Sequence, residues 1–69
     1  MKVKTIIKDS AITKFRISTA DSTYIVDYSG TLDEDKRHYR TWVDLPKEIS
    51  EAKIDLLTIY DESTLQIYL

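Results

Sequence analysis

The sequence predicts a β-rich α+β domain of five or six antiparallel strands with one short helix. Three observations support this. Runs with period-two alternation, rich in β-branched and aromatic residues, recur along the chain, a Pro-started apolar stripe occurs once, and the chain has only 69 residues. A chain of that length buries only about 60% of the surface its unfolded form exposes, which supports one core and one domain, residues 1–69.

The elements follow in order. Val3, Thr5 and Ile7 alternate with Lys2, Lys4, Ile6 and Lys8, the pattern of a half-buried strand. Asp9-Ser10 breaks it, and Ala11, Thr13, Phe15 and Ile17 alternate as a second strand, so the two are expected to form a hairpin. Asp21-Ser22 is turn chemistry. Thr23 to Tyr28, with Tyr24, Val26 and Tyr28 on one face, completes a three-stranded meander. Gly30, the only glycine, is expected where the backbone needs positive φ.

Residues 31–37 hold five charged side chains around Leu32 and read as an exposed loop. From His38 to Leu45, Tyr39, Thr41, Val43 and Leu45 alternate as a fourth strand would, with Trp42 on the other side. Pro46 suits the first position of a helix and Glu48 its positive end, with Leu45, Ile49 and Ala52 as the apolar stripe of two turns from Pro46 to Lys53. Leu56–Tyr60 and Leu65–Leu69, joined by Asp61 to Thr64, are expected as a C-terminal hairpin in which Leu57 and Ile59 lie across from Leu65, Ile67 and Leu69. The order is β-β-β-(β)-α-β-β. Ile6, Ile12 and Ile25 fall opposite the presumed core face and need cover, either from a barrel-like curl of the sheet or from a second subunit.

Composition narrows the function classes. The chain is 42% hydrophobic and 32% charged, the balance of a folding chain. It contains no cysteine, so it has no disulfide or thiolate metal site, and packing must supply its stability. The longest aliphatic or aromatic runs, Tyr24–Val26 and Ile67–Leu69, are far short of the roughly 20 residues of a membrane span. Residues 1–8 lack a secretory apolar stretch, and the expectation is a cytoplasmic protein without membrane contact. The C-terminal strand ends on Leu69 without a polar tail, so truncation there should be costly.

Enzyme chemistry finds little support. His38, the only histidine, is flanked by Lys36, Arg37 and Arg40, which disfavour its protonated form, and no Gly-rich turn offers an oxyanion hole. Asp33-Glu34-Asp35 could attract a metal, but calcium loops space their ligands around a turn glycine, whereas these acids are contiguous and beside Lys36 and Arg37. One glycine cannot build a phosphate cradle. The expectation is a non-enzyme with no metal and no cofactor.

Two binding classes remain. The net charge of −2 is unevenly divided, +4 over residues 1–18 and −6 over residues 19–69. If the first hairpin buries Val3, Ile7, Phe15 and Ile17, then Lys2, Lys4, Lys14 and Arg16 share a basic face that could bind nucleic acid, although Ile6 and Ile12 stand where stacking aromatics would be wanted. Lysines on an edge strand also simply discourage unwanted pairing. The favoured expectation is a protein-binding module that associates with itself as a homodimer, because five tyrosines and Trp42 exceed what so small a core requires. Trp42, Tyr39, Arg40 and Leu32 are its candidate contact residues.

Overall fold

The computed structural model describes residues 1–30 and 37–69. Its elements are α1 (Val3–Asp9), β1 (Lys14–Ser18), β2 (Thr23–Asp27), β3 (His38–Tyr39), a 3₁₀ turn (Trp42–Asp44), α2 (Lys47–Ser50), β4 (Leu56–Asp61) and β5 (Thr64–Tyr68). The α+β class is as the sequence predicts. The five strands form one open sheet in the order β3-β2-β1-β5-β4. It is mixed rather than antiparallel: β1 runs antiparallel to β2 but parallel to β5, β2 runs parallel to β3, and only the β4–β5 hairpin repeats the antiparallel pairing. It does not close into a barrel.

The main correction lies at the N-terminus, where the expected first strand is α1. Val3 and Ile7 are buried in either conformation, because positions i and i+4 share a face in a strand and in a helix. The residues that discriminate are Thr5 and Ile6. A strand would turn Thr5 inward, whereas the helix packs Ile6 against the core beside Val3 and Ile7. With so many β-branched residues the segment is a poor helix by propensity and is held by packing. Lys8 in its last turn favours the negative end of the helix dipole.

Because α1 leaves the sheet, one side of β1 is open, and β5 fills it. Phe15 pairs with Leu65 and Ile17 with Ile67, while on the other side Phe15 meets Val26 and Ile17 meets Tyr24. One face of the sheet, together with α1, the 3₁₀ turn and α2, therefore encloses the core of Val3, Ile7, Phe15, Ile17, Val26, Leu45, Ile49 and Ile67. Ile6 and Ile12, expected to need outside cover, pack against this core.

Three further expectations are revised. The fourth strand is only His38–Tyr39, because Thr41 Oγ1 accepts from the Val43 amide at 3.1 Å and starts the 3₁₀ turn. The helix after Pro46 is a single turn with Pro46 as its N-cap. It cannot run to Lys53, since the backbone beyond it is engaged elsewhere: the Val3 amide donates to Ala52 O and the Ile54 amide to Met1 O. Gly30 has no positive φ. The glycine instead gives room to the Asp27 side chain, whose Oδ2 would lie 2.1 Å from a Cβ and would have to shift to admit one.

The C-terminal hairpin has the expected register, Leu57 opposite Ile67 and Ile59 opposite Leu65, with a bulge between Ile59 and Asp61. Its connection is tighter than four residues, since Asp61 Oδ1 accepts from both the amide and the hydroxyl of Ser63 across a Glu62-Ser63 turn.

Candidate functional site

Among the described residues no helix covers β4, and all six residues of the strand are exposed. Alternation sends Leu57 and Ile59 to the helix-bearing side of the sheet and Leu56, Thr58 and Tyr60 to the open side. Ile59 is 67% exposed, Leu56 56% and Tyr60 55%. The strand is also the end of the sheet order, so among the described residues the backbone groups on its outer side have no strand partner. Natural sheets blunt such an edge with lysine, proline or an extremely short strand. Leu56 to Tyr60 contains no charged residue and no proline.

Each flank of this edge is structured. On the open side Arg16 reaches from β1 across β5, its guanidinium carbon 4.7 Å from the Tyr60 ring centroid. Beneath that arm Gln66 is buried and donates from Nε2 to Arg16 O at 3.1 Å and Ser18 Oγ at 2.9 Å. On the helix side a groove of about 220 Å³ lined by Met1, Thr5, Ile6, Asp9, Ser10 and Leu65 adjoins the strand, since Leu65 is the neighbour of Ile59. Beyond the bulge, hydrogen bonds from the Ser63 amide and hydroxyl hold the Asp61 carboxyl below its ordinary value, so the apolar edge ends on a fixed negative charge.

Trp42, Tyr39 and Arg40, expected to form a contact surface, lie elsewhere. Trp42 is half-buried against the core, with Lys8 Nζ 5.6 Å from its ring centroid and its amide donating to the Tyr28 hydroxyl at 3.4 Å. Tyr39 stacks on Tyr24 with centroids 6.3 Å apart. Arg40 is exposed. Leu32 and the acidic triplet Asp33 to Asp35 lie outside the described residues.

The expected basic face is divided by the change at the N-terminus. Lys2 and Lys4 belong to the start of α1 and bind Glu51, each Nζ 2.6 Å from a different carboxylate oxygen. Lys14 and Arg16 are on the open face of β1, so the four cations do not form one surface.

An open recess of about 650 Å³ at the β1–β2 turn is lined by Arg16, Thr19, Asp21, Ser22, Arg37 and His38, among others. Its side chains serve the turn. Asp21 Oδ1 accepts from the Thr19 hydroxyl and Thr19 Oγ1 from the Ser22 amide. The two guanidinium groups lie over the Tyr60 and Tyr24 rings. Among the described residues no group of three His, Asp or Glu side chains is placed to hold a metal ion. No helix among them is long and apolar enough to cross a membrane.

Comparison with protein-family models, with curated proteins and with solved structures returns no match to this chain.

The sequence reading did not identify the β4 edge, although its signal is visible. Leu56, Leu57, Ile59 and Tyr60 occupy both parities of one strand, so neither face is polar. In a small open sheet only a central or covered strand has a structural use for that pattern.

Proposed function

We propose that this chain is a non-enzymatic protein-binding module that works by strand addition at β4, within the cytoplasm. The observation that supports this is an edge strand with apolar side chains exposed on both faces and an unpaired outer backbone. An added strand would satisfy those backbone groups and cover Leu56, Leu57, Ile59 and Tyr60 in one step. Trp42 and Tyr39 contribute to this reading as supports of the β3 end rather than as anchors, because each is already packed against the protein.

The experiment is affinity capture with the wild type and with Ile59→Lys, a substitution at a solvent-facing position whose folding is checked first by circular dichroism. Proteins retained by the wild type, including further copies of the chain, should be lost by the variant. Equal recovery on both would overturn the reading.

A nucleic-acid-binding accessory role is the second reading. It is favoured by the open sheet face, where Lys14 and Arg16 of β1 share a side with Tyr60 of β4 and Tyr68 of β5, the combination of cations and aromatics that single-strand binders use. It loses the support of Lys2 and Lys4, which Glu51 occupies. Fluorescence anisotropy with a single-stranded oligonucleotide decides it: affinity should fall steeply with salt, and an absence of binding at low salt would sink it.

A further inference from the structure

Exposure of β4 on both faces restricts what can pair with it. A strand with one charged face would set that charge against either Leu57 and Ile59 or Leu56 and Tyr60, so a fitting partner is itself apolar on both faces over the same length. Among the described residues, β1, β2 and β5 have both edges paired, and β3 is two residues long. The strand that meets the requirement is β4 itself.

We infer that the occupant of the β4 edge is a second copy of this chain, with the two β4 strands antiparallel about a two-fold axis at Thr58. The inference rests on the strand-addition reading above and specifies its partner and register.

The register follows from face matching. Opposed residues in an antiparallel pair point to the same side of the sheet, so a two-fold axis must pass through a residue position for both faces to match. With the axis at Thr58, Leu57 meets Ile59 of the second copy twice on the helix side. On the open side Leu56 meets Tyr60 twice, and Thr58 meets Thr58. From Leu56 to Tyr60 each contact is aliphatic with aliphatic, aliphatic with aromatic, or hydroxyl with hydroxyl, the pairings that stabilise sheets, while Asp55 and Asp61, both solvent-exposed, fall opposite each other at the two ends, where like charge opposes any extension of the pairing. Moving the axis to Leu57 sets Asp55 against Ile59. Moving it to Ile59 sets Asp61 against Leu57, placing beside an aliphatic side chain a carboxylate that the Ser63 amide and hydroxyl stabilise in its charged form.

The same geometry limits the assembly to two copies. An isologous contact uses both β4 edges, and the bulge between Ile59 and Asp61 ends the pairable stretch. The opposite edge of the described sheet, β3, is too short to template another strand. A five-residue pairing spans about 17 Å, most of the width of a molecule measuring 27 × 24 × 20 Å. The helix-side groove beside Ile6 and Leu65 broadens it. Because one strand buries less than the roughly 800 Å² per partner of a standard interface, the dimer should dissociate on dilution.

The test uses the full chain. Sedimentation equilibrium from low micromolar to millimolar concentration should show the mass rising from the 8.1 kDa monomer to the dimer. Ile59→Lys, felt twice in a symmetric contact, should weaken association by about tenfold or more. The chain has no cysteine, so in Thr58→Cys the only disulfide available joins the two copies at the axis. Mild oxidation or a short bis-maleimide should cross-link it far faster than the exposed control Ala11→Cys. A monomer at every concentration, or cross-linking of both cysteines at the same rate, would overturn the inference. If association fails while Ile59→Lys still abolishes capture of other proteins, strand addition stands with a different occupant. If capture is also unchanged, both readings fall.

Discussion

Arg16, on the central strand, covers Tyr60, on the edge strand, with its guanidinium carbon 4.7 Å from the ring centroid. The arm crosses β5 and shields the buried Gln66, so it ties three strands together on the face opposite α1 and α2. A cation over an aromatic ring at a partly exposed site contributes about 0.5–1 kcal/mol, and the aliphatic stem adds packing. Arg16→Ala should therefore lower unfolding free energy by about 1 kcal/mol, with Arg16→Lys losing less. Amide hydrogen exchange in β4 should accelerate more than in β2. Uniform acceleration across the sheet would show that the arm does not act locally.

The two rows of the C-terminal hairpin should respond to truncation in opposite ways. Ile67 is fully buried beside Ile17, whereas Ile59 is two-thirds exposed on the neighbouring strand. Removing a buried aliphatic side chain costs about 2–5 kcal/mol, enough to unfold much of a protein this small. Surface changes stay within about 0.5 kcal/mol. Urea titration of dilute protein should find Ile67→Ala severely destabilised and Ile59→Ala close to wild type. A large loss at Ile59 in the dilute monomer would mean that β4 is covered in solution by the chain itself.

Gly30 offers a test of close approach without left-handed backbone. A Cβ there would lie 2.1 Å from Asp27 Oδ2 and 2.6 Å from its Cγ. That carboxylate is held by the amide and hydroxyl of Ser29, each donating to Oδ1. Gly30→Ala must therefore displace Asp27 and break the turn, costing about 1 kcal/mol, the centre of the usual range for a point substitution. In the Asp27→Ala background the same substitution should cost less. An equal cost in both backgrounds would place the strain elsewhere.

What the sequence disclosed depended on whether local signals agreed. Asp61-Glu62-Ser63-Thr64 between two β-rich runs defined the C-terminal hairpin and its register, because turn chemistry and alternation pointed the same way. Val3 and Ile7 did not discriminate between period 2 and period 3.6, and β-branched composition favoured the wrong one. That error propagated: with a strand assigned to residues 2–8, β1 had no vacancy for β5, and a parallel pairing between residues 50 positions apart was invisible. The candidate site was lost for a related reason. Alternation distinguishes a strand's two sides by its polar face, and Leu56-Leu57-Thr58-Ile59-Tyr60 has none, so the run read as one strand of a hairpin with no sign that it forms an exposed edge.

Glu51 binds the N-terminus to the chain after α2 through a charge that acid removes. Its two oxygens accept from Lys2 and Lys4, and these hydrogen bonds, with that from Lys2 the larger, lower its carboxyl pKa from 4.5 to about 2. A folded-state pKa below the unfolded value contributes stability above 4.5, and the contribution is lost as pH falls from 4.5 towards about 2. The carboxylate is about one-third exposed, so added salt should weaken the effect. Thermal melts across that window should show the wild type losing more stability than Glu51→Gln, with the gap narrowing in high salt. The α1 amides should open first, since the Val3 amide bond to Ala52 O is the adjacent backbone tie. Parallel pH profiles for the two proteins would mean that the lysine pair does not hold α1 in place.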